Sequence, residues 1–347
     1  MTRVAIVGAG VAGLCAALAF AQAGAEVELF ERERAPGLGC SFLAGGMIAP
    51  WCEAESAEEI VVALGREALD FWTLEVPVAL RRGSLVLAPA RERGELARFA
   101  RRTREFERLD GAALAALEPD LAGRFNEALF FPHEAHLDPR EAVAALARRL
   151  AGMDNVALHF GVEAPQDGFD WTIDCRGFFA RQDVSGLRGV KGEMLVLFTR
   201  EVSLSRPIRM THPRHPVYIV PRGDGRFMIG ATMIENEEPG RVTARAMMEL
   251  LGAAYTVHPA FAEAEIVETG AGVRPAFADN LPRIARRGGT LFLNGLYRHG
   301  FLLAPALARA AVAAALEGAD PDAALRPRAN ETFRETDHAH RSERQDA

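Results

Sequence analysis

Six residues near the start, Gly8-Ala9-Gly10-Val11-Ala12-Gly13, constrain this chain more than any other feature. They follow a short β-branched run, Arg3–Val7, and open an alanine-rich stretch over residues 11–23, after which comes a second apolar run, Glu26–Glu31 (EVELFE). The order reads strand, tight turn, helix, strand, the first unit of a parallel sheet with the turn at its ligand end. Gly8 permits the turn, Gly10 lets the backbone approach a pyrophosphate, and Gly13 lets the helix pack on the strand. Val11 and Ala12 form the first helical turn, whose N–H groups face phosphate charge. Glu31 ends the second strand, where its carboxylate can accept hydrogen bonds from ribose hydroxyls, with Arg32 next to it. The constellation reads as a dinucleotide site; a glycine-rich turn without ligand is the competing reading.

Residues 4–30 are apolar enough to resemble a signal or membrane segment. Gly8, Gly10, Gly13 and Gly24 interrupt the run, Glu26, Glu28 and Glu31 charge its second half, and no basic n-region precedes it. A cytoplasmic chain with no membrane partner is expected. Net charge is −7, so no basic field favours nucleic acid. Cys15, Cys40, Cys52 and Cys175 contain no CxxC pair and suit neither a zinc site nor a disulfide framework. His133 and His136, with Glu134 and Asp138, sit in FPHEAHLDP, but no partner cluster elsewhere supports a metal. The final Gln345-Asp346-Ala347 carries no peroxisomal address. Lys191 is the only lysine among 347 residues, a bias that reads as composition rather than chemistry.

The fold class expected is α/β, a Rossmann-like βαβ domain with an inserted antiparallel sheet. Ser56 with Glu59 predicts a capping box for a helix through about Val76. Asp138, Pro139 and Glu141 predict another helix start. Residues 192–199 and 217–232 read as strands, the second as a hairpin turning at Gly223-Asp224-Gly225. Residues 290–296 return to the parallel texture before an alanine-rich helix near residues 301–316. The cofactor domain is accordingly expected over 1–76, 132–188 and 268–325, the substrate domain over 77–131 and 189–267. The charged stretch 326–347, with His338 and His340, reads as a disordered tail.

The turn motif does not by itself separate NAD from FAD. Residues 37–50 (GLGCSFLAGGMIAP) favour FAD, because Ser41 and the paired Gly45 and Gly46 could run backbone along pyrophosphate and flavin; an ordinary surface loop is the plain alternative. Trp51 and Cys52 could cap that loop or fill space.

Taken together, GAGVAG, CSFLAGGMIAPWCE at 40–53, VKGEML at 190–195, YIVPRGDGRFMIGATM at 218–233, GVRPAFADNLPRI at 272–284 and GLYRHGFLLAP at 295–305 carry a resemblance. The chain resembles the D-amino acid oxidase-like flavoproteins over nearly its whole length, and within them the glycine oxidases of thiamine biosynthesis. That resemblance implies FAD, oxidation of glycine, sarcosine or a small D-amino acid to the imine, oxygen as acceptor with peroxide release, a homo-oligomer, and a product handed to thiazole synthesis. A sarcosine or D-amino acid oxidase or dehydrogenase, and a FAD-stabilised protein without turnover, stay open.

It also implies roles. Arg274 and Arg298 would bind the substrate carboxylate with Tyr218 beside them, and Met47 and Met233 would wall the pocket. A carboxylate is costly to bury unless paired, and a guanidinium can pair it bidentately. The plain alternative for an arginine is a solvated charge, and for Tyr218 a core tyrosine bonded to a backbone carbonyl. Cys40, Ser41, Gly45, Gly46, Met47, Val162 and Gly177 would meet the cofactor. So would Arg298, His299, Gly300, Phe301 and Leu302, where a helix N-terminus could stabilise a reduced, anionic ring. Pro305 is placed in that helix's first turn. Two departures from the family stand out: residues 161–177 are short, which weakens the Val162 reading, and no cysteine follows Cys175, so the flavin is expected to be non-covalent.

Overall fold

The computed structural model describes residues 1–165, 167–212, 216–321 and 325. The tail reading and both of its histidines lie outside these residues. Two sheets carry the architecture. The first runs Arg283–Arg287, Thr290–Asn294, Trp171–Asp174, Arg3–Val7, Glu26–Glu31, Val156–Phe160, parallel except for its first pair. The second has eight strands: Glu265–Ala276, Arg188–Phe198, Arg226–Gly230, Val217–Pro221, Ile208–Met210, Ser84–Leu87, Glu127–Phe131 and Glu107–Asp110. All its neighbours are antiparallel except Ile208–Met210 with Ser84–Leu87. This is the mixed α/β fold that the motif order predicts. The expected boundary at 267/268 falls inside one strand, Glu265–Ala276, which closes an edge of the eight-stranded sheet.

Arg3–Val7 pairs in register with Glu26–Glu31 because both are apolar runs with the Val11–Gln22 helix as their crossover. That helix is buried almost all round and packs on Gly300–Leu316. A side chain at Gly13 would overlap the Gly8 carbonyl oxygen, so the close helix–strand approach depends on glycine there. Asp138 caps Pro139–Ala151, its carboxylate accepting the Arg140 N–H at 2.8 Å.

Two local readings are corrected. Ser56 is not a cap: the helix starts at Glu59 after an uncapped Glu58, breaks at Gly65, and continues as Glu67–Asp70 and a π turn, Phe71–Glu75. The Ser56 hydroxyl instead accepts from Arg298 at 2.7 Å. Pro305 lies in the second turn, because the helix begins at Gly300. Proline cannot donate to the Phe301 carbonyl four residues back, and the Trp72 indole N–H takes that acceptor at 2.8 Å.

Candidate active site

A cavity of about 940 Å³ runs from the Gly8 turn to the second sheet. Every residue expected to meet cofactor or substrate lines it except Gly13, whose place is the helix–strand contact. At one end Glu31 organises the backbone: its carboxylate accepts the Ala9 N–H at 2.7 Å and the Glu33 N–H at 3.0 Å. A carboxylate has about four acceptor positions, so ribose hydroxyls still have room. Ser41 accepts the Val11 N–H at 3.0 Å, pinning the 37–46 loop to the helix N-terminus. Arg32 stacks on Phe179 with its guanidinium carbon 3.7 Å from the ring centroid. Val162 borders the same end, as does Gly177.

The loop at 44–46 is held by a residue that sequence reading passed over. Arg222, its side chain only 10% exposed, donates to the carbonyls of Leu137 at 2.7 Å and of Ala44 and Gly45 at 3.0 Å. Burial pushes its guanidinium down to about 10, against the pull of Asp138. The Tyr218 ring lies where a side chain at Gly45 would be, so Gly45 makes room for it. Among the described residues no hydrogen bond to a backbone carbonyl satisfies the Tyr218 hydroxyl.

The two expected arginines are in different situations. Arg274 is half-buried, donates once to the Thr232 carbonyl at 3.0 Å, and has no carboxylate partner among the described residues. Arg298 is already paired: it donates to Glu53 at 2.7 Å and to Ser56 at 2.7 Å. Glu53 also takes Arg209 at 3.1 Å and His299 at 2.9 Å. Burial alone would raise the Glu53 carboxyl, but Arg298, Arg209 and His299 hold it well below the usual carboxylate range. His299 is pushed down, chiefly by burial, against the pull of Glu53 toward the charged form. The His299 Nε2 faces both the Glu53 carboxylate at 2.9 Å and the Arg298 Nε–H, which donates to it at 3.2 Å, and the other ring nitrogen is Nδ1. That atom is buried and has no partner among the described residues. Met233 receives the Tyr297 hydroxyl at 3.2 Å, with Arg298 3.7 Å from the same sulfur.

Trp51 and Cys52 fill core space: both are buried, and neither lines the cavity. His133 packs edge-on to Trp51, while His136 is buried and pushed down to about 4 by burial and neighbouring arginines. Among the described residues no group of three or more His, Cys, Asp or Glu could hold a metal, and no helix is long and apolar enough to cross a membrane.

A cleft lined by a helix N-terminus, the Glu31 carboxylate, a glycine-rich loop and a guanidinium that has no carboxylate partner among the described residues suits a dinucleotide lying beside a small anion. The orphaned His299 Nδ1 and the clearance at Gly10, where a side chain would come within 3.3 Å of Ser41 Oγ, fit a group such as FAD. Residues 3–314 match the FAD dependent oxidoreductase family DAO, and the chain belongs to it. FAD is thus its cofactor and oxidation–reduction its chemistry. Among relatives, a Rhizobium etli protein carrying the name thiamine biosynthesis oxidoreductase ThiO is 58% identical, over 88% of this chain and 94% of its own. Two solved structures superpose with TM-scores of 0.76 over 92% of this chain and 96% of theirs. They are glycine oxidase from Geobacillus kaustophilus, at 25% identity, and iminodiacetate oxidase from Chelativorans sp. BNC1, at 26%.

Proposed function

We propose that this flavoenzyme oxidises the C–N bond of a small amino acid, glycine first, to the imine, with oxygen as acceptor and peroxide as by-product, and that the product feeds thiazole formation for thiamine. One observation carries the reading: Arg274 presents a guanidinium to the cavity and has no carboxylate partner among the described residues. A half-buried cation in that state is stabilised by a ligand carboxylate, and its planar fork can bind one bidentately. Tyr218 lies along the same wall, and Met47 and Met233 bound the space with apolar, polarisable side chains.

Bound FAD supplies the two-electron acceptor. The chain's task is positioning: Arg274 takes the carboxylate, and Met47 and Met233 exclude water around the reacting carbon. Arg298, neutralised by Glu53, shapes that wall and keeps Met233 in place. The first helical turn at Val11 and Ala12, with Ser41, Gly45 and Gly46, would hold the non-covalent cofactor, and the residues 298–302 would meet its far end. The names of the similar proteins, glycine oxidase and ThiO, agree with glycine and with a place in thiamine synthesis.

The test uses purified holoenzyme with glycine, sarcosine, iminodiacetate, D-alanine and D-proline, measuring anaerobic flavin reduction and then peroxide in air. Glycine and sarcosine should reduce the flavin fastest. Arg274→Ala should lower kcat/KM for glycine by about two to three and a half decades, the loss of one partner of a buried charge pair. Arg274→Lys should fall between. A yellow Arg274→Ala protein within about threefold of the parent refutes the anchor. D-alanine or D-proline turned over about ten times better than glycine refutes the substrate.

A further inference from the structure

The guanidinium of Arg274 lies against a short run, Lys191-Gly192-Glu193, on the neighbouring strand. Arg188–Phe198 and Glu265–Ala276 are antiparallel, with Val190 opposite Arg274 and Gly192 opposite Gly272. Side chains alternate across a sheet, so Gly192 shares the face of Arg274 while Lys191 and Glu193 share the other. A Cβ at Gly192 would collide with the Arg274 guanidinium, which therefore rests directly on bare backbone.

Behind that backbone Glu193 is completely buried. A carboxylate there needs partners on every side, and it has them. Lys191 Nζ lies 2.9 Å away, the Thr243 N–H donates at 3.0 Å and its hydroxyl at 3.2 Å, and the Thr232 hydroxyl donates at 3.4 Å. Lys191, also buried, spends a further donor on the Arg241 carbonyl at 3.0 Å. The Glu193 N–H donates to the Thr232 hydroxyl at 2.9 Å, and the Thr232 N–H donates to the Glu193 carbonyl at 3.2 Å. Thr232 is thus fixed through its N–H and through both roles of its hydroxyl, and its remaining group, the carbonyl, is the one acceptor that Arg274 uses. The only lysine of the chain is spent on this cluster. Its compact, rotatable ammonium can meet a carboxylate and a carbonyl at once without the space a guanidinium needs.

We infer that Lys191, Glu193 and Thr232 are positioning residues, a buried bracket that sets the Arg274 guanidinium in its carboxylate-binding orientation. This rests on Arg274 being the carboxylate anchor. The bracket touches neither substrate nor cofactor. Its action runs from the Lys191–Glu193 ion pair to the Thr232 hydroxyl, and from the Thr232 carbonyl to Arg274.

The experiment titrates acetate into FAD-loaded protein, reading the flavin absorbance change, for the parent, Thr232→Val, Thr232→Ser, Glu193→Gln and Arg274→Ala, with Tm and FAD content as controls. Thr232→Val removes the hydroxyl at nearly constant volume; Glu193→Gln keeps the shape and one acceptor oxygen but drops the charge and turns the other oxygen into a donor. Both should weaken acetate by about tenfold, with KM for glycine rising in step, and Thr232→Ser should recover to within about threefold. Placed on Arg274→Ala, Thr232→Val should cost no further affinity, a coupling that general loosening of the fold would not produce. The inference is overturned if Thr232→Val and Glu193→Gln, still yellow, bind acetate like the parent while Arg274→Ala loses it. Losses that simply add to that of Arg274→Ala overturn it too. Should Arg274→Ala itself keep acetate affinity, the anchor assignment fails first and the bracket with it.

Discussion

Glu134 is fully buried, one carboxylate oxygen accepting the Cys52 N–H at 2.7 Å and the other without a partner among the described residues. Burial is the main reason its carboxyl is pushed up to about 7, with anionic Glu53 adding to the effect. A folded-state value above the unfolded one means the native state holds its proton longer. The associated stability is complete below the ordinary glutamate range and is lost as pH rises to about 7. The difference corresponds to about 3 kcal/mol. Glu134→Gln keeps the acceptor for Cys52 and cannot ionise, so its stability relative to the parent should improve steadily between pH 4.5 and 7 and then level off. Denaturant melts of both proteins across that range check this; parallel curves would mean that Glu134 is ionised in the fold. At this scale the cavity-lining residues that were legible as candidates sit in compact local motifs: Arg274, Tyr218 and the glycines of the turn, whose roles are proposals. Glu53 stood at the end of a recognised stretch, yet nothing local distinguishes it from a solvated helix acid. Its partners Arg209 and Arg298 lie 156 and 245 residues away, and only the closed fold brings them together. Glu193 and Arg222 were hidden for the same reason.

Among the elements, the hairpin over Val217–Pro221 and Arg226–Gly230 was legible because apolar runs flank Gly-Asp-Gly, and the first βαβ unit because its glycines have fixed spacing. Trp171–Asp174 was not read as a strand. It is four residues long, and its place between Arg3–Val7 and Thr290–Asn294 depends on partners far apart in sequence. The Ser56 cap failed because its hydroxyl has a stronger, charged donor in Arg298. The helix Gly300–Leu316 offers a measurable consequence of such substitutions. Pro305 leaves the Phe301 carbonyl without its helical donor, and the Trp72 indole N–H replaces it. Trp72→Phe should destabilise by about 1–3 kcal/mol beyond its lost volume, the cost of an unsatisfied buried acceptor. Pro305→Ala restores a backbone N–H, so the double variant should recover about 1 kcal/mol relative to additivity. Strict additivity in urea melts would show that the indole bond contributes nothing to holding the helix.

The cavity is a joint product of the whole molecule: Val7, Glu31 and Asp174 line it from the six-stranded sheet, Met194, Tyr218 and Arg274 from the eight-stranded one. A cofactor lying in it touches both sheets and binds only where both are folded. Its binding free energy therefore adds to the stability of the native state as a whole, by about 2.7 kcal/mol at a free FAD concentration one hundred times Kd. Gly10 separates this linkage from folding itself. Its φ of −71° is open to any residue, and the nearest atom a side chain would meet is the Ser41 hydroxyl at 3.3 Å, so Gly10→Leu leaves the strand–helix unit intact while placing bulk where the backbone must approach pyrophosphate. Gly13 differs, because any Cβ there overlaps the Gly8 carbonyl and disrupts the unit whether or not cofactor is present. For the parent, Tm should climb with added FAD. Gly10→Leu should be colourless, with a Tm near that of the flavin-free parent and no response to FAD. Gly13→Leu should lose stability even against the flavin-free parent. A yellow Gly10→Leu protein whose Tm still rises with FAD would mean that the pyrophosphate does not lie against this turn, and that the cofactor enters the cavity in another orientation.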